Sequence, residues 1–219
     1  MAIFAASIMC ANQLELKTEL DRLKEARIDM LHCDVMDGAF VSNLGMGPYV
    51  LEQIAQYSKL PMDIHLATLN PENYAKLFLK LRPEIISFHI ETVENPHKTI
   101  EFIKENGIKA SVAVSPDTPI CAVEPVIREV DMVLIMAVNP GFAGQKIKPQ
   151  TPKRIRQLKS LCEKYDVHPL IEVDGNINEE TIPEVVNEGA NVLVLGTSSI
   201  FKKDNHDYSI SIARLRALC

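Results

Sequence analysis

The sequence predicts an α/β protein folded as a single (β/α)8 barrel, or TIM barrel, that spans residues 1–219. Three observations predict this fold: short apolar runs recur along the chain, amphipathic segments separate them, and capping residues precede prolines where those segments begin. The length agrees, because 219 residues shared among eight units give about 27 residues per unit. A doubly wound open sheet is the main competing fold, but it usually carries a G-x-G-x-x-G turn after its first strand, and none follows here.

Eight apolar runs are each the length of one strand, and their continuous apolar character is typical of a parallel sheet covered on both faces. They lie at 3–8, 30–35, 62–66, 85–90, 109–114, 132–138, 170–173 and 192–195. Apolar residues with helical spacing lie between them, as at Leu16, Leu20 and Leu23. Helix starts are predicted where a capping residue precedes a proline. These pairs are Asn70-Pro71, Asn95-Pro96, Thr118-Pro119 and Thr151-Pro152.

Charge and cysteine content narrow the class of protein. Lys and Arg number 23 against 29 Asp and Glu, and the net charge of -6 predicts neither a nucleic-acid partner nor an anionic membrane surface. Five cysteines without a C-x-x-C pair predict free thiols in a reducing compartment, and therefore a cytoplasmic location. The apolar N-terminus lacks the basic segment of a signal peptide, and no apolar run reaches the roughly 20 residues that cross a bilayer.

Polar side chains stand at the C-terminal ends of three predicted strands, where barrels of this kind build their active sites. Side-chain alternation places them in pairs on one face of each strand: His32 with Asp34, Asp63 with His65, and Glu172 with Asp174. Charges buried in a barrel mouth are costly unless they are paired or bind a metal. We therefore predict one divalent metal ion, with zinc favoured over iron(II), cobalt or manganese. Its ligands are predicted to be His32, Asp34, His65 and Asp174.

The alternative interpretation is that each of these groups is a hydrogen-bonded polar residue of the core or rim. Ser87 and His89 on the fourth strand, with Asp63 and Glu172, are interpreted as residues that orient the ligands. His168 and His206 are expected at the surface.

Glycines follow predicted strands seven and eight, at Gly175 and Gly196. Barrels often bind a phosphate there through backbone N–H groups and the N-terminus of a short helix, although glycine in such turns also has a purely steric explanation. The loop at 141–144 lies in the longest gap between strands and is a candidate cover for the same group. No lysine stands at the C-terminal end of a predicted strand, which argues against a Schiff-base aldolase.

Six motifs follow one another along essentially the whole chain: Ser7-Ile8, HCDVMDG at 32–38, DIHL at 63–66, NPGFAGQ at 139–145, IEVDG at 171–175 and GTS at 196–198. With these motifs the chain resembles the ribulose-phosphate 3-epimerase family. The resemblance implies that the four predicted ligands hold the metal, that Asp34 and Asp174 also act as acid and base, and that the partner is a small-molecule ketose phosphate. A homo-oligomer is also expected. The residues implied to contact substrate are Ser7, His65, Gly141, Phe142, Ala143, Gly144, Gly175, Asn176, Gly196 and Thr197.

Epimerisation at carbon 3 of a 2-ketose phosphate removes a proton next to a carbonyl and returns one to the opposite face. We expect Asp34 and Asp174 to carry out these two steps from opposite sides. The metal is expected to stabilise the cis-enediolate as a Lewis acid. Met36 and Met136 are expected to keep the site dry, with Glu172 in a supporting role.

Four positions depart from the usual family residues: Ala6, Ser42, Ala67 and Asn176. Met9-Cys10, Ala143 and the motif at 196–198 resemble the allulose-6-phosphate 3-epimerase branch of the family. The substrate pair therefore stays open between D-ribulose 5-phosphate with D-xylulose 5-phosphate and D-allulose 6-phosphate with D-fructose 6-phosphate, and motif details favour the latter.

Two other functions are alternatives. A phosphate-binding barrel decarboxylase is expected to carry Asp-x-Lys-x-x-Asp at a strand end, and the corresponding stretch, DVMDG at 34–38, has no lysine. A non-catalytic sugar-phosphate-binding protein is expected to lack one of the four ligands, and all four are present.

Overall fold

The computed structural model describes residues 2–202 and 207–219. In it, eight parallel strands close into a barrel in chain order. The strands are β1 (Ile3–Ser7), β2 (Met30–Met36), β3 (Met62–Ala67), β4 (Ile85–His89), β5 (Lys109–Val114), β6 (Met132–Met136), β7 (Leu170–Asp174) and β8 (Val192–Leu195). All eight predicted strands are confirmed, with ends that agree to within two residues. The predicted (β/α)8 barrel is therefore confirmed.

The helices that follow the strands cover the outside of the barrel. In residues 2–202 and 207–219 they are α1 (Leu16–Glu25), α2 (Pro48–Tyr57), α3 (Pro71–Phe78), α4 (Pro96–Glu105), α5 (Thr151–Tyr165), α6 (Ile182–Glu188) and α7 (Tyr208–Arg216). A 3-10 helix at Ile120–Val126 takes the place of an α-helix after β5. Pro125 lies inside that segment, and proline in an α-helix interior removes a hydrogen bond and costs about 3 kcal/mol.

The proline pairs mark helix starts better than the capping side chains do. Asn95 accepts a hydrogen bond from the backbone N–H of Lys98 and caps α4 as predicted. Asn70 precedes α3 but makes no capping bond. Thr151 is the first residue of α5 rather than the cap before it, and Thr118-Pro119 leads into the 3-10 helix rather than an α-helix.

Alternate strand residues point into the barrel and form layers. An apolar cluster lies toward the N-terminal ends of the strands, formed by Ala5, Met30, Ile85, Met132, Val192 and Val194. Nearer the C-terminal ends lies a fully buried polar layer, formed by His32, Asp63, Ser87, Ser111 and Glu172. Outward-pointing residues such as Cys33 pack in the main core beneath the helices. The polar layer therefore lies between an apolar floor and the mouth of the barrel.

All five cysteines are free thiols, as predicted. His168 is exposed, also as predicted, whereas His206 lies outside the described residues. Among the helices at 2–202 and 207–219, none has both the length and the apolar character needed to span a bilayer.

Candidate active site

The four predicted ligands form one cluster at the mouth of the barrel. Strand register pairs Asp34 on β2 with His65 on β3, and Met136 on β6 with Asp174 on β7. One donor atom from each of His32, Asp34, His65 and Asp174 lies within 4.8 Å of the donor atoms of the other three. His32, Asp34 and His65 are buried, and Asp174 is partly exposed. The cluster is therefore accessible mainly from the mouth.

The imidazole of His32 is oriented from beneath. Its Nδ1 lies 2.5 Å from Oδ2 of Asp63 and 3.5 Å from Oε1 of Glu172. Its Nε2 is buried and makes no hydrogen bond, although Oδ1 of Asp34 lies 3.3 Å away. Because Nδ1–H donates to the Asp63 carboxylate, the lone pair of Nε2 is available toward the other three predicted ligands.

The imidazole of His65 has contacts at both nitrogens. Nδ1 lies 3.0 Å from Oδ1 of Asp34, and Nε2 lies 3.0 Å from Nε2 of His89. Ser87 Oγ donates to Oδ1 of Asp63 at 3.5 Å. The structure thus places Asp63, Ser87, His89 and Glu172 directly behind the four-residue cluster.

The two aspartates of the cluster have different electrostatic environments. Burial raises the pKa of Asp174 to about 6. The nearby His32 acts to lower this pKa, and the negative charge of Asp34 acts to raise it further. Burial also acts to raise the pKa of Asp34, but the electrostatic attraction of the adjacent His32 and His65 imidazoles outweighs it and holds that pKa well below its usual range. One carboxylate is therefore firmly ionised at neutral pH, and the other takes up a proton much more readily.

The polar layer beneath is also perturbed. Burial raises the pKa of Glu172 to about 8, and the nearby charge of Asp63 adds to this effect. Burial acts to lower the pKa of His32, but Asp34 and Asp63 together raise it well above its usual value.

A cavity of about 650 Å³, open mouth included, lies above the cluster. All the residues implied to contact substrate line it: Ser7, His65, Gly141, Phe142, Ala143, Gly144, Gly175, Asn176, Gly196 and Thr197. Met36 and Met136 also line this cavity. His32 and Glu172 are fully buried and are not among the lining residues.

Backbone conformation shapes the rim of the cavity. Gly175 has a φ of 120°, and a Cβ there would lie 2.6 Å from the side chain of Val138. Asn176 has a φ of 56°, a left-handed conformation that asparagine adopts more readily than most residues. In place of the short helix expected after β8, residues 197–200 form a turn. The backbone N–H groups of residues 199–201 donate hydrogen bonds to the carbonyl of Gly196.

Two residues outside the sequence-based site prediction contribute to the site: Cys10 lines the cavity, and Asn43 contacts a loop that lines it. Cys10 Sγ lies 3.7 Å from Oγ of Ser7, whose hydroxyl donates to Oδ2 of Asp34 at 2.9 Å. Asn43 donates to the carbonyl of Gly141 at 2.6 Å and so joins the loop after β2 to the loop after β6. No local pattern marks Asn43, because its partner lies 98 residues away in the chain.

Comparisons with known proteins give a consistent family. The model of the ribulose-phosphate 3 epimerase family matches residues 3–201. A ribulose-phosphate 3-epimerase from Bacillus subtilis (strain 168) is 40% identical over 211 residues, which cover 96% of this chain and 97% of the relative. The chloroplastic ribulose-5-phosphate-3-epimerase of Arabidopsis thaliana is 38% identical over 217 residues, which cover 98% of this chain and 76% of the relative.

Solved structures with low sequence identity share the fold. A 3-hexulose-6-phosphate synthase aligns with a TM-score of 0.68 at 16% identity, over 100% of this chain and 99% of the other. Phosphoribosyl anthranilate isomerase from Thermus thermophilus aligns with a TM-score of 0.67 at 14% identity, over 100% of both chains. These likenesses concern the barrel alone. The family match over residues 3–201, with relatives at 38–40% identity, shows that this chain belongs to the ribulose-phosphate 3-epimerase family, a family of isomerases.

Proposed function

We propose that this chain is a metal-dependent ketose-phosphate 3-epimerase. The observation that carries the proposal is the convergence of two carboxylates, Asp34 from β2 and Asp174 from β7, on one cluster. In the closed barrel, β8 and β1 separate these two strands, so the carboxylates reach the mouth from different sides. Inversion needs such a pair, because the proton leaves one face of carbon 3 and a proton returns to the opposite face.

The donor set fits a divalent cation. Two imidazole nitrogens and two carboxylate oxygens suit zinc, and iron(II), cobalt and manganese are chemical alternatives. The buried Nε2 of His32 makes no hydrogen bond, and an unpaired buried polar group typically costs about 1–3 kcal/mol, which a cation at the cluster would offset. When bound, the cation supplies a Lewis acid beside the substrate oxygens that gain negative charge.

The chain's own carboxylates carry the protons. Asp34, held by the hydroxyl of Ser7 and by His65, accepts the proton of carbon 3 from one epimer. Asp174 donates a proton to the opposite face, and the two roles exchange in the reverse reaction. Met36 and Met136 contribute apolar surface beside the reacting carbons and limit the access of water.

The phosphate is proposed to bind at the rim formed by Gly175, Asn176, Gly196 and Thr197. Two sugars fit the proposed reaction. The names of the relatives favour D-ribulose 5-phosphate, whereas the branch-like residues Met9, Cys10, Ala143 and Thr197 line the cavity and favour D-allulose 6-phosphate. Measuring kcat/KM for both sugars with one preparation determines which substrate is preferred.

Replacing each aspartate by asparagine tests the proposal. Asp34→Asn and Asp174→Asn are both expected to abolish epimerisation, because each removes a metal ligand and a proton carrier. Asp21→Asn is the matched control, since Asp21 lies on α1 and contacts Lys17 and Tyr57. Wild-type turnover in either site variant with metal bound would disprove the two-aspartate assignment.

The origin of the returning proton gives an independent test. If two carboxylates act on opposite faces and exchange protons with water, reaction in deuterium oxide labels the product at carbon 3. Retention of the substrate hydrogen would instead indicate a single base that transfers the proton internally.

A further inference from the structure

A chain of polar contacts leads from His65 toward the rim of the barrel. Nε2 of His65 lies 3.0 Å from Nε2 of His89, and Nδ1 of His89 lies 3.1 Å from Oε2 of Glu91. Oε1 of Glu91 accepts a hydrogen bond of 2.8 Å from the backbone N–H of Ser115. His65 and His89 are buried, whereas the side chain of Glu91 is 21% exposed. The proton transfers proposed above use neither His89 nor Glu91.

We propose that Glu91 is a positioning residue that acts through His89 to determine which nitrogen of His65 carries hydrogen. In this arrangement Nε2 of His65 holds the hydrogen and Nδ1 presents its lone pair to the cluster. The inference rests on the proposed function, because it assumes that a cation binds at the cluster.

The hydrogen positions follow from the acceptor at the end of the chain. An ionised carboxylate only accepts hydrogen bonds, so Nδ1 of His89 carries the hydrogen in its contact with Glu91. Only one hydrogen fits between the two Nε2 atoms, and a neutral His89 has none left on its Nε2. Nε2 of His65 is therefore the donor. Nδ1 of His65 lies 3.0 Å from Oδ1 of Asp34 and then carries no hydrogen, so a cation held by both groups would satisfy this contact between two lone pairs.

Neighbouring residues hold Glu91 and His89 in place. Buried Arg154 donates to the carbonyls of Ser115, Pro116 and Thr118, and so holds the loop that presents the Ser115 N–H to Glu91. The ring of Phe40 packs against the ring of His89 with centroids 4.6 Å apart. The hydroxyl of Ser115 lies 3.2 Å from Nδ1 of His89, but it can donate or accept and so does not select a tautomer.

Glu91→Gln is expected to reverse the hydrogens along the chain. The amide oxygen must accept from the Ser115 N–H, so the amide NH2 group faces Nδ1 of His89 as a donor. His89 then carries its hydrogen on Nε2, and His65 is left with hydrogen on Nδ1, the nitrogen that would otherwise hold the cation. Glu91→Ala imposes no such reversal, because water and the Ser115 hydroxyl can accept from His89.

Zinc titration of the metal-stripped protein by calorimetry tests this inference. Glu91→Gln is expected to weaken zinc binding by about 10–100-fold, the range seen when partners of metal ligands are removed, and Glu91→Ala is expected to weaken it less. A packing role predicts the opposite order, because alanine removes more of the side chain. Glu94→Gln is the matched control, since Glu94 is an exposed glutamate near the same strand end, and it is expected to bind zinc as the wild type does.

Nitrogen-15 spectra of the histidines in the zinc-loaded wild type are expected to show hydrogen on Nε2 of His65 and on Nδ1 of His89. Three results would overturn the positioning role of Glu91 without contradicting the metal site. These are unchanged zinc affinity in Glu91→Gln, weaker zinc binding by Glu91→Ala than by Glu91→Gln, and the reversed hydrogen positions in the wild type. A wild-type protein that binds no zinc or other divalent cation would overturn both this inference and the metal-dependent function.

Discussion

Gly175 follows the last residue of β7 at the mouth of the barrel, with a φ of 120°. In Gly175→Ala, the new Cβ would lie 2.6 Å from Cγ2 and 2.9 Å from the backbone nitrogen of Val138. Backbone strain of this kind costs about 1–3 kcal/mol, and overpacking typically costs another 1–3 kcal/mol. The free energy of unfolding is therefore expected to fall by about 2–6 kcal/mol.

Two other glycines at the mouth of the barrel separate the cost of backbone strain from the cost of overpacking. Gly144 has a φ of 82°, but a Cβ there would meet no atom within 4 Å, so Gly144→Ala is expected to cost only the backbone strain of about 1–3 kcal/mol. Gly196 has no positive φ, and its Cβ would meet only Sγ of Cys10 at 3.4 Å, an ordinary contact. Gly196→Ala is therefore expected to leave the free energy of unfolding nearly unchanged.

Urea or thermal unfolding followed by circular dichroism measures these differences. For a chain of this size, 1 kcal/mol corresponds to about 2–4 °C in Tm, so Gly175→Ala is expected to lower Tm by at least about 4 °C. The expected order of destabilisation is Gly175→Ala, then Gly144→Ala, then Gly196→Ala. A Gly175→Ala protein as stable as Gly196→Ala would refute the reasoning from steric space and backbone conformation.

Three further predictions concern the metal. Chelation is expected to abolish activity while the circular dichroism spectrum persists, because the core of the eight strands does not include the ion. Parallel loss of activity and of the circular dichroism signal would show that the fold depends on the metal. Zinc affinity is expected to fall as the pH is lowered through neutrality and further below about 6. The pKa of His32 is raised well above its usual value and that of Asp174 is raised to about 6, so protons compete with the cation first at His32 and then at Asp174. A titration series with no pH dependence would contradict this. His65→Asn is expected to bind zinc more weakly and to recover part of its activity in excess metal. Asp174→Asn is expected to recover no activity, because it also lacks the proton donor. Equal recovery in both variants would show that Asp174 is only a metal ligand.

The sequence alone determined the strands and the direction of their side chains. An unbroken apolar run identifies a strand covered on both faces. Side chains of an extended backbone point alternately to its two faces, so His32 and Asp34 point inward and Cys33 points outward. The ends of the strands then identify the residues at the mouth. Helix type was less predictable, because Pro125 disfavours an α-helix after β5, where the capping pattern predicted one and the structure has a 3-10 helix.

Only the tertiary structure decided which of these residues meet. The convergence of Asp34 and Asp174, the bond between Asn43 and Gly141, and the contact of His89 with His65 depend on strand register and barrel closure. A local pattern describes the faces of one strand, but the distance between two strands depends on every strand that separates them around the barrel. For the same reason the orphaned nitrogen of His32 and the alignment of Glu91 behind His89 have no signature in the sequence.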